Sequence, residues 1–202
     1  MTSRKIALSL NISRRNTGYL LVYGLLGISL LFFLSGISSA ATGPVGTRQY
    51  FPNFVFADTL SRDEQTYLGI SARKNFSIKN IRSTVIIMEM FNTYCTICPR
   101  NVPLLNDVYS LIEKDPKLKG KIKVISIAVG NTSEEITSYK KAHGVRYPIL
   151  SDSNFTLHRL LGDPRVPYTM LIKRDRIVHT HQGLMDSSES LLGLALKYLN
   201  RD

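Results

Sequence analysis

The sequence predicts an α/β domain, a mixed central sheet with helices on both faces, preceded by one N-terminal hydrophobic helix. Three observations carry this. Val85–Phe91 (VIIMEMF) and Lys121–Val129 (KIKVISIAV) are largely apolar runs of strand length, as expected of central strands covered on both faces. Segments of helical periodicity alternate with such runs along the chain, which distributes helices over the sheet. Near the C-terminus, two strand-like segments are separated only by Arg174 and Asp175, so that pair must be antiparallel.

Taken in order, residues 42–53 (TGPVGTRQYFPN) read as a Gly/Pro-containing linker, and the folded domain is expected over 54–202. Short strands are expected near Phe54–Phe56 and Phe76–Ile78, then the long strand Val85–Phe91. That strand ends at Asn92-Thr93-Tyr94, a turn and cap signal. A helix follows from about Cys95 to Lys114, with Val102, Leu105, Val108, Tyr109 and Ile112 at helical spacing. Pro99 falls in its first turn, and Pro103 is expected to kink it. After the strand Lys121–Val129, Thr132 or Ser133 caps a helix with Glu134 and Glu135 in its first turn and Gly144 past its end. Tyr147–Leu150 reads as a short strand and Asn154–Leu161 as a short helix closed by Gly162. Tyr168–Lys173 and Arg176–Thr180 form the hairpin, and Ser187–Leu199 the last helix.

The N-terminus is different in kind. Tyr19–Ile37 is 19 residues without a charge, preceded by Arg4, Lys5, Arg14 and Arg15. Such a stretch nearly spans a hydrocarbon core of roughly 30 Å, and positive flanks stay in the cytoplasm. Ser38-Ser39-Ala40-Ala41 offers small residues for cleavage after Ala40, whereas the apolar stretch exceeds the ~7–15 residues of a secretory signal. Residues 1–41 are therefore expected to be a signal peptide or a single-pass membrane anchor. The expected location is the cell membrane with the domain on the extracytoplasmic side, or secreted or periplasmic if the segment is cleaved.

Composition narrows the function. The chain of 202 residues is 20% charged and 44% hydrophobic, which excludes a disordered or multi-span protein. Its net charge is +11; 26 basic residues less the four before Ala41 leave 22 against 15 acidic ones. That balance suits anionic lipid or acidic protein surfaces. The densest basic run (Lys114, Lys117, Lys119, Lys121, Lys123) has no interleaved aromatics, so no nucleic-acid partner is expected.

Two cysteines exclude a disulfide-stapled scaffold, and both lie in Cys95-Thr96-Ile97-Cys98, directly after the strongest strand. Residues i and i+3 at a helix start lie about 5–6 Å apart, within disulfide range. The free N–H groups of a first turn stabilise a thiolate. Cys95 is therefore the expected nucleophile and Cys98 the resolving thiol. A zinc site would need four ligands, and His143, His158, His179 and His181 have no pairing with this motif. A purely structural bridge over four residues would remove little chain entropy. The residues favour a redox-active pair, with no metal or cofactor.

VIIMEMF, NTYCTICP, Pro103, a later Val166-Pro167 before a strand, and a closing helix together resemble the thioredoxin fold. The resemblance, over roughly residues 54–200, is to the exported or membrane-anchored thioredoxin-like redoxins, a thiol-disulfide oxidoreductase group that includes reductases of cytochrome c maturation. It implies that Cys95 and Cys98 are the redox disulfide and that Pro167 is the cis-proline facing it. Val166 would then offer backbone groups to an extended substrate, and Glu89 matches the buried acid that exchanges a proton with Cys98. Tyr94 stands where tryptophan is usual and keeps an aromatic wall beside the substrate. Thr96-Ile97 lacks the histidine of strong oxidases, implying a reducing or intermediate potential. Asn101 stands where cytochrome-maturation reductases often carry glutamate. The implied partners are protein disulfides or dithiols and a transmembrane electron donor, with residues 19–37 as the membrane contact.

Two other functions are open to such a fold. A thioredoxin-fold peroxidase of AhpC/TSA type needs Thr or Ser three residues before its cysteine and a proline upstream; Asn92 and Met88 hold those positions. A copper-binding module spaces its cysteines by three residues and adds a histidine; here the spacing is two and Val166 takes that place.

Overall fold

All seven residues of β1 (Val85–Phe91) are buried, as are all eight of β2 (Ile122–Val129), which only strands covered on both faces achieve. They lie in a computed structural model that describes residues 46–71 and 74–201. The hydrophobic segment 19–37 and the boundary at residue 41 lie outside the described residues. Among those residues, no helix is long and apolar enough to cross a membrane.

The elements are α1 (Arg62–Leu68), β1, α2 (Val102–Lys114), β2, α3 (Ser133–His143), β3 (Ile149–Asp152), α4 (Thr156–Leu160), β4 (Tyr168–Lys173), β5 (Arg176–Gln182) and α5 (Ser188–Leu199). Short 3-10 turns cover Ile78–Asn80 and Cys98–Asn101. The sheet order is β3-β2-β1-β4-β5. β1 runs parallel to β2, and β2 to β3, while β4 is antiparallel to both β1 and β5. The sheet is thus mixed, as expected. Arg174 and Asp175 both take positive φ (48° and 62°) in the two-residue turn between β4 and β5, the conformation that suits a tight hairpin.

Alternation along β1 divides the core. Ile86, Met88 and Met90 point to one face with Phe56, Phe76, Leu157 and Ile172. Val85, Ile87 and Phe91 point to the other, with Cys98, the α2 residues Val102, Leu105 and Val108, and Leu191 of α5. Position 89 belongs to this second face by the period of two.

Five expectations change. The helix expected from Cys95 begins only at Val102, after the 3-10 turn. Prolines divide the segment: Pro99 opens the turn and Pro103 occupies the first turn of α2, where a missing N–H costs nothing, so Pro103 starts a helix rather than kinking one. The strands expected near Phe54 and Phe76 reduce to one antiparallel bridge, Phe56 with Phe76. Tyr147–Leu150 shifts to Ile149–Asp152: Pro148 has no N–H to pair, and its carbonyl accepts from Ser126 N at 3.0 Å. The second half of the linker 42–53 is folded onto the domain. Arg48 N donates to Ile177 O (2.7 Å), Ile177 N to Gln49 O (2.8 Å) and Phe51 N to Asp175 O (2.7 Å), and Phe51 joins the core. Along β3, Ser151 N donates to Oδ1 of Asp58 at 2.9 Å.

Candidate active site

Asn92, Thr93 and Tyr94 carry the chain out of β1, and each is tied down. Asn92 Nδ2 donates to Val129 O at the end of β2 (2.7 Å), and its Oδ1 accepts from Tyr94 N (2.7 Å). The fully buried Asn131 accepts from Thr93 N (3.0 Å) and donates to Thr93 Oγ1 (2.6 Å) and Glu135 Oε2 (3.2 Å). Glu135 also accepts from Thr132 N in the capping box of α3 and from the Tyr94 hydroxyl. That hydroxyl contact holds the Glu135 carboxyl below its ordinary range and the Tyr94 phenol above its own. The turn bearing the cysteines is therefore clamped to the start of α3, through residues 38 and 41 positions away.

Cys95 and Cys98 are joined by a disulfide with Cα atoms 5.5 Å apart. Cys95 is half-buried, whereas Cys98 is fully buried. Cys95 sits in the irregular turn before the helical segment, not on a helix face as expected. Its positive surroundings are nevertheless present: Cys98 N–H points at Cys95 Sγ (3.2 Å). Flanking the pair, Tyr94 is 74% exposed and Ile97 42%. Beside Tyr94 lies a groove of about 430 Å³ lined by Thr93, Glu134, Glu135, Ser138, Tyr139 and His143.

The Val166–Pro167 peptide bond is cis, in agreement with the expectation from resemblance. Pro167 O accepts from Gly183 N (2.8 Å), and Val166 packs against both core clusters. His158 of α4 holds the loop that leads into it: Nε2 lies 2.9 Å from Pro164 O, and Nδ1 3.0 Å from the Asp163 carboxylate.

Glu89 is 2% exposed, in the middle of β1. Burial pushes its carboxyl up to about 7, against the opposing hydrogen bonds of Asn101 and Ser126. Asn101 Nδ2 donates to Oε1 at 2.8 Å, and Ser126 Oγ lies 3.5 Å from Oε2. Asn101 belongs to the same short 3-10 turn as Cys98, so one turn carries both the inner thiol and the partner of the acid. Thus Tyr94, Cys95 and Cys98 follow the C-terminal end of β1, and Asn101 ties their segment back to Glu89 inside the strand. The sequence marks Glu135 only as a first-turn residue of a helix and gives Asn131 no mark at all.

The decisive comparison is with protein families: residues 51–181 match the model of the AhpC/TSA family. The chain belongs to the AhpC/TSA family. Among curated relatives, it is 22% identical over 125 residues to the thiol-disulfide oxidoreductase ResA of Bacillus anthracis, covering 61% of this chain and 62% of that protein. It is 22% identical over 138 residues to ResA of Bacillus subtilis, covering 68% of each. The chain therefore spans somewhat less than two thirds of the Bacillus anthracis relative's length. Among solved structures, a putative thiol:disulfide interchange protein DsbE from Chlorobium tepidum matches with a TM-score of 0.60 at 16% identity, over 77% of this chain and 99% of that one. A putative protein disulfide isomerase from Bacteroides thetaiotaomicron gives 0.61 at 20% identity, over 78% and 92%. The fold is thioredoxin-like.

Proposed function

We propose that this chain is a thiol-disulfide oxidoreductase that reduces protein disulfides through Cys95 and Cys98. The observation that carries the reading is the asymmetry of the pair: one sulfur half-buried beside exposed Tyr94 and Ile97, the other sealed in the core. The relatives named thiol-disulfide oxidoreductase support it.

In the reduced protein the Cys95 thiolate, favoured by the Cys98 N–H, attacks a client disulfide. One client sulfur leaves as a thiolate and a Cys95–client disulfide forms. Cys98 then gives its proton to the Glu89 carboxylate, whose raised proton affinity near neutrality suits that transfer. The Cys98 sulfur attacks Cys95 Sγ, the second client thiolate leaves, and the internal disulfide is restored. Two electrons pass to the client, and a dithiol donor must return them. During the exchange Val166 offers its backbone to the extended client and Pro167 faces the sulfurs, while the Tyr94 groove receives the adjoining residues. The uncharged segment 19–37 and its basic flank favour an extracytoplasmic domain on an anchor, with electrons delivered across the membrane. Cytochrome c maturation is one setting for such a reductase; Asn101, in place of glutamate, sets this chain apart within it.

A peroxidase, the other activity its family name suggests, is disfavoured by Asn92. That side chain stands where a hydroxyl is required, and both ends of its amide are committed to backbone groups. His179 and His181 lie on β5, the latter's Nε2 2.9 Å from Leu184 O. Among the described residues no three metal-ligating side chains group together.

The test uses the full chain in detergent. Cys98→Ser should accumulate mixed disulfides with client proteins while Cys95→Ser does not; the opposite pattern reverses the roles. The redox potential of the pair against glutathione should lie near about −250 mV or below, and a value near about −120 mV identifies an oxidant instead.

A further inference from the structure

Glu89 is the buried acid of the proposed exchange, yet nothing in that chemistry says which of its two oxygens carries the proton. The surroundings decide it. Asn101 is 1% exposed, and both ends of its amide are engaged: Met185 N–H donates to Oδ1 at 3.1 Å, and Nδ2 donates to Glu89 Oε1 at 2.8 Å. The backbone donor fixes the amide's orientation, because turning it over would set NH₂ against the Met185 N–H and C=O against the carboxylate. Oε1 therefore always meets a donor. Among the described residues, Oε2 meets Ser126 Oγ alone, at 3.5 Å, a hydroxyl able to accept as well as donate.

We propose that Asn101 is the positioning residue of this site: pinned by Met185, it presents a fixed donor to Oε1 of Glu89 and so confines the exchangeable proton to Oε2. This rests on the oxidoreductase reading for its purpose, though not for its geometry. The other groups around Glu89 are weak competitors. Thr169 of β4 stands directly opposite in register, with His181 of β5 beyond it, and the Thr169 hydroxyl has no partner among the described residues. Tyr139 of α3 and Tyr147 ahead of β3 both feel the Glu89 charge, and their phenols are pushed up chiefly by burial. Cys98 shares the Asn101 turn, and the residues of α2 and α5 in this cluster, Val102, Leu105, Val108, Ile112, Leu191 and Ala195, are apolar. Among these groups Asn101 is the one fixed donor. Glu89 thereby stays ionisable near neutrality, in a position to take the proton of Cys98.

The experiment follows the Glu89 carboxyl by ¹³C NMR in the oxidised full chain in detergent, its signal assigned by its loss in Glu89→Gln. Asn101→Ala should move the Glu89 midpoint upward by about one pH unit or more, since a hydrogen bond to a charged group contributes about 1.5–3 kcal/mol. Resolution of the mixed disulfide at pH 6 should slow about tenfold, and its pH profile should move with the midpoint. Asn101→Asp keeps the shape but sets two carboxyls together, so the pair should titrate in two widely separated steps. In Glu89→Gln the Asn101→Ala change should no longer alter the pH profile. An unchanged Glu89 midpoint in Asn101→Ala overturns the proposal; should that variant not fold, a single unshifted step in Asn101→Asp does so. A shifted midpoint in a protein that reduces no disulfide keeps the positioning role and refutes the oxidoreductase reading alone.

Discussion

Replacing Glu89 by Gln should flatten the dependence of stability on pH. The carboxyl rises from its ordinary 4.5 to about 7 in the folded chain. A native pKa above the unfolded one means that the folded state holds the proton more tightly. The stability so gained is fully present below about pH 4.5 and is lost as pH rises through 7. The difference of about 2.5 pH units, at 1.36 kcal/mol each, corresponds to about 3 kcal/mol. Glu89 is 2% exposed, so solvent screening takes little from this figure. Gln keeps the shape, offers its carbonyl oxygen to Asn101 Nδ2 and cannot ionise. Urea denaturation of the oxidised protein, followed by tyrosine near-ultraviolet circular dichroism, should show wild type falling by about 3 kcal/mol relative to Glu89→Gln between pH 4.5 and 8.5. Parallel curves for the two proteins over that range would refute a buried, ionising Glu89.

Three further outcomes follow from packing and tethering. A Cβ on Gly130, at φ +68°, would lie 2.1 Å from Phe155 Cζ; Gly130→Ala should cost about 2–4 kcal/mol by denaturation, and Phe155→Leu should recover part of it. Asn131→Ala leaves Thr93 N–H without its partner and should cost about 2–3 kcal/mol. The same variant should slow client reduction, measured by stopped-flow, because the cysteine turn loosens. His158→Phe releases Pro164 and Asp163. It should raise KM for a protein client while leaving the reaction with dithiothreitol unchanged.

The parts of this architecture that could be read from the chain are those whose signal is local. VIIMEMF and KIKVISIAV announce central strands because every residue of β1 and β2 is buried, and the cysteine motif names its own chemistry. α1 was missed because it is seven residues long with Leu68 its sole buried residue; the capping box of Ser61 and Glu64 and the closing Gly69 were its only marks. Periodicity could not separate the 3-10 turn at Cys98–Asn101 from α2, since both place apolar residues three or four apart. Phe51 looked like part of a linker because the segment around it, TGPVGTRQYFPN, carries glycines and prolines, and its pairing partner, Asp175, is remote in sequence. Asn131 and Asn101 were opaque in function for the same reason. A buried amide declares its role only through partners, here 38 and 12 residues away for Thr93 and Glu89.

The hydrogen bonds between residues 48–49 and Ile177 of β5, and the Asp58 carboxylate on Ser151 N–H, bear on how the sheet meets its surroundings. On each outer strand, at Ile177 of β5 and Ser151 of β3, outward backbone groups are already taken by the chain's own atoms. A second copy is hindered from pairing at those points, which works against edge-to-edge aggregation.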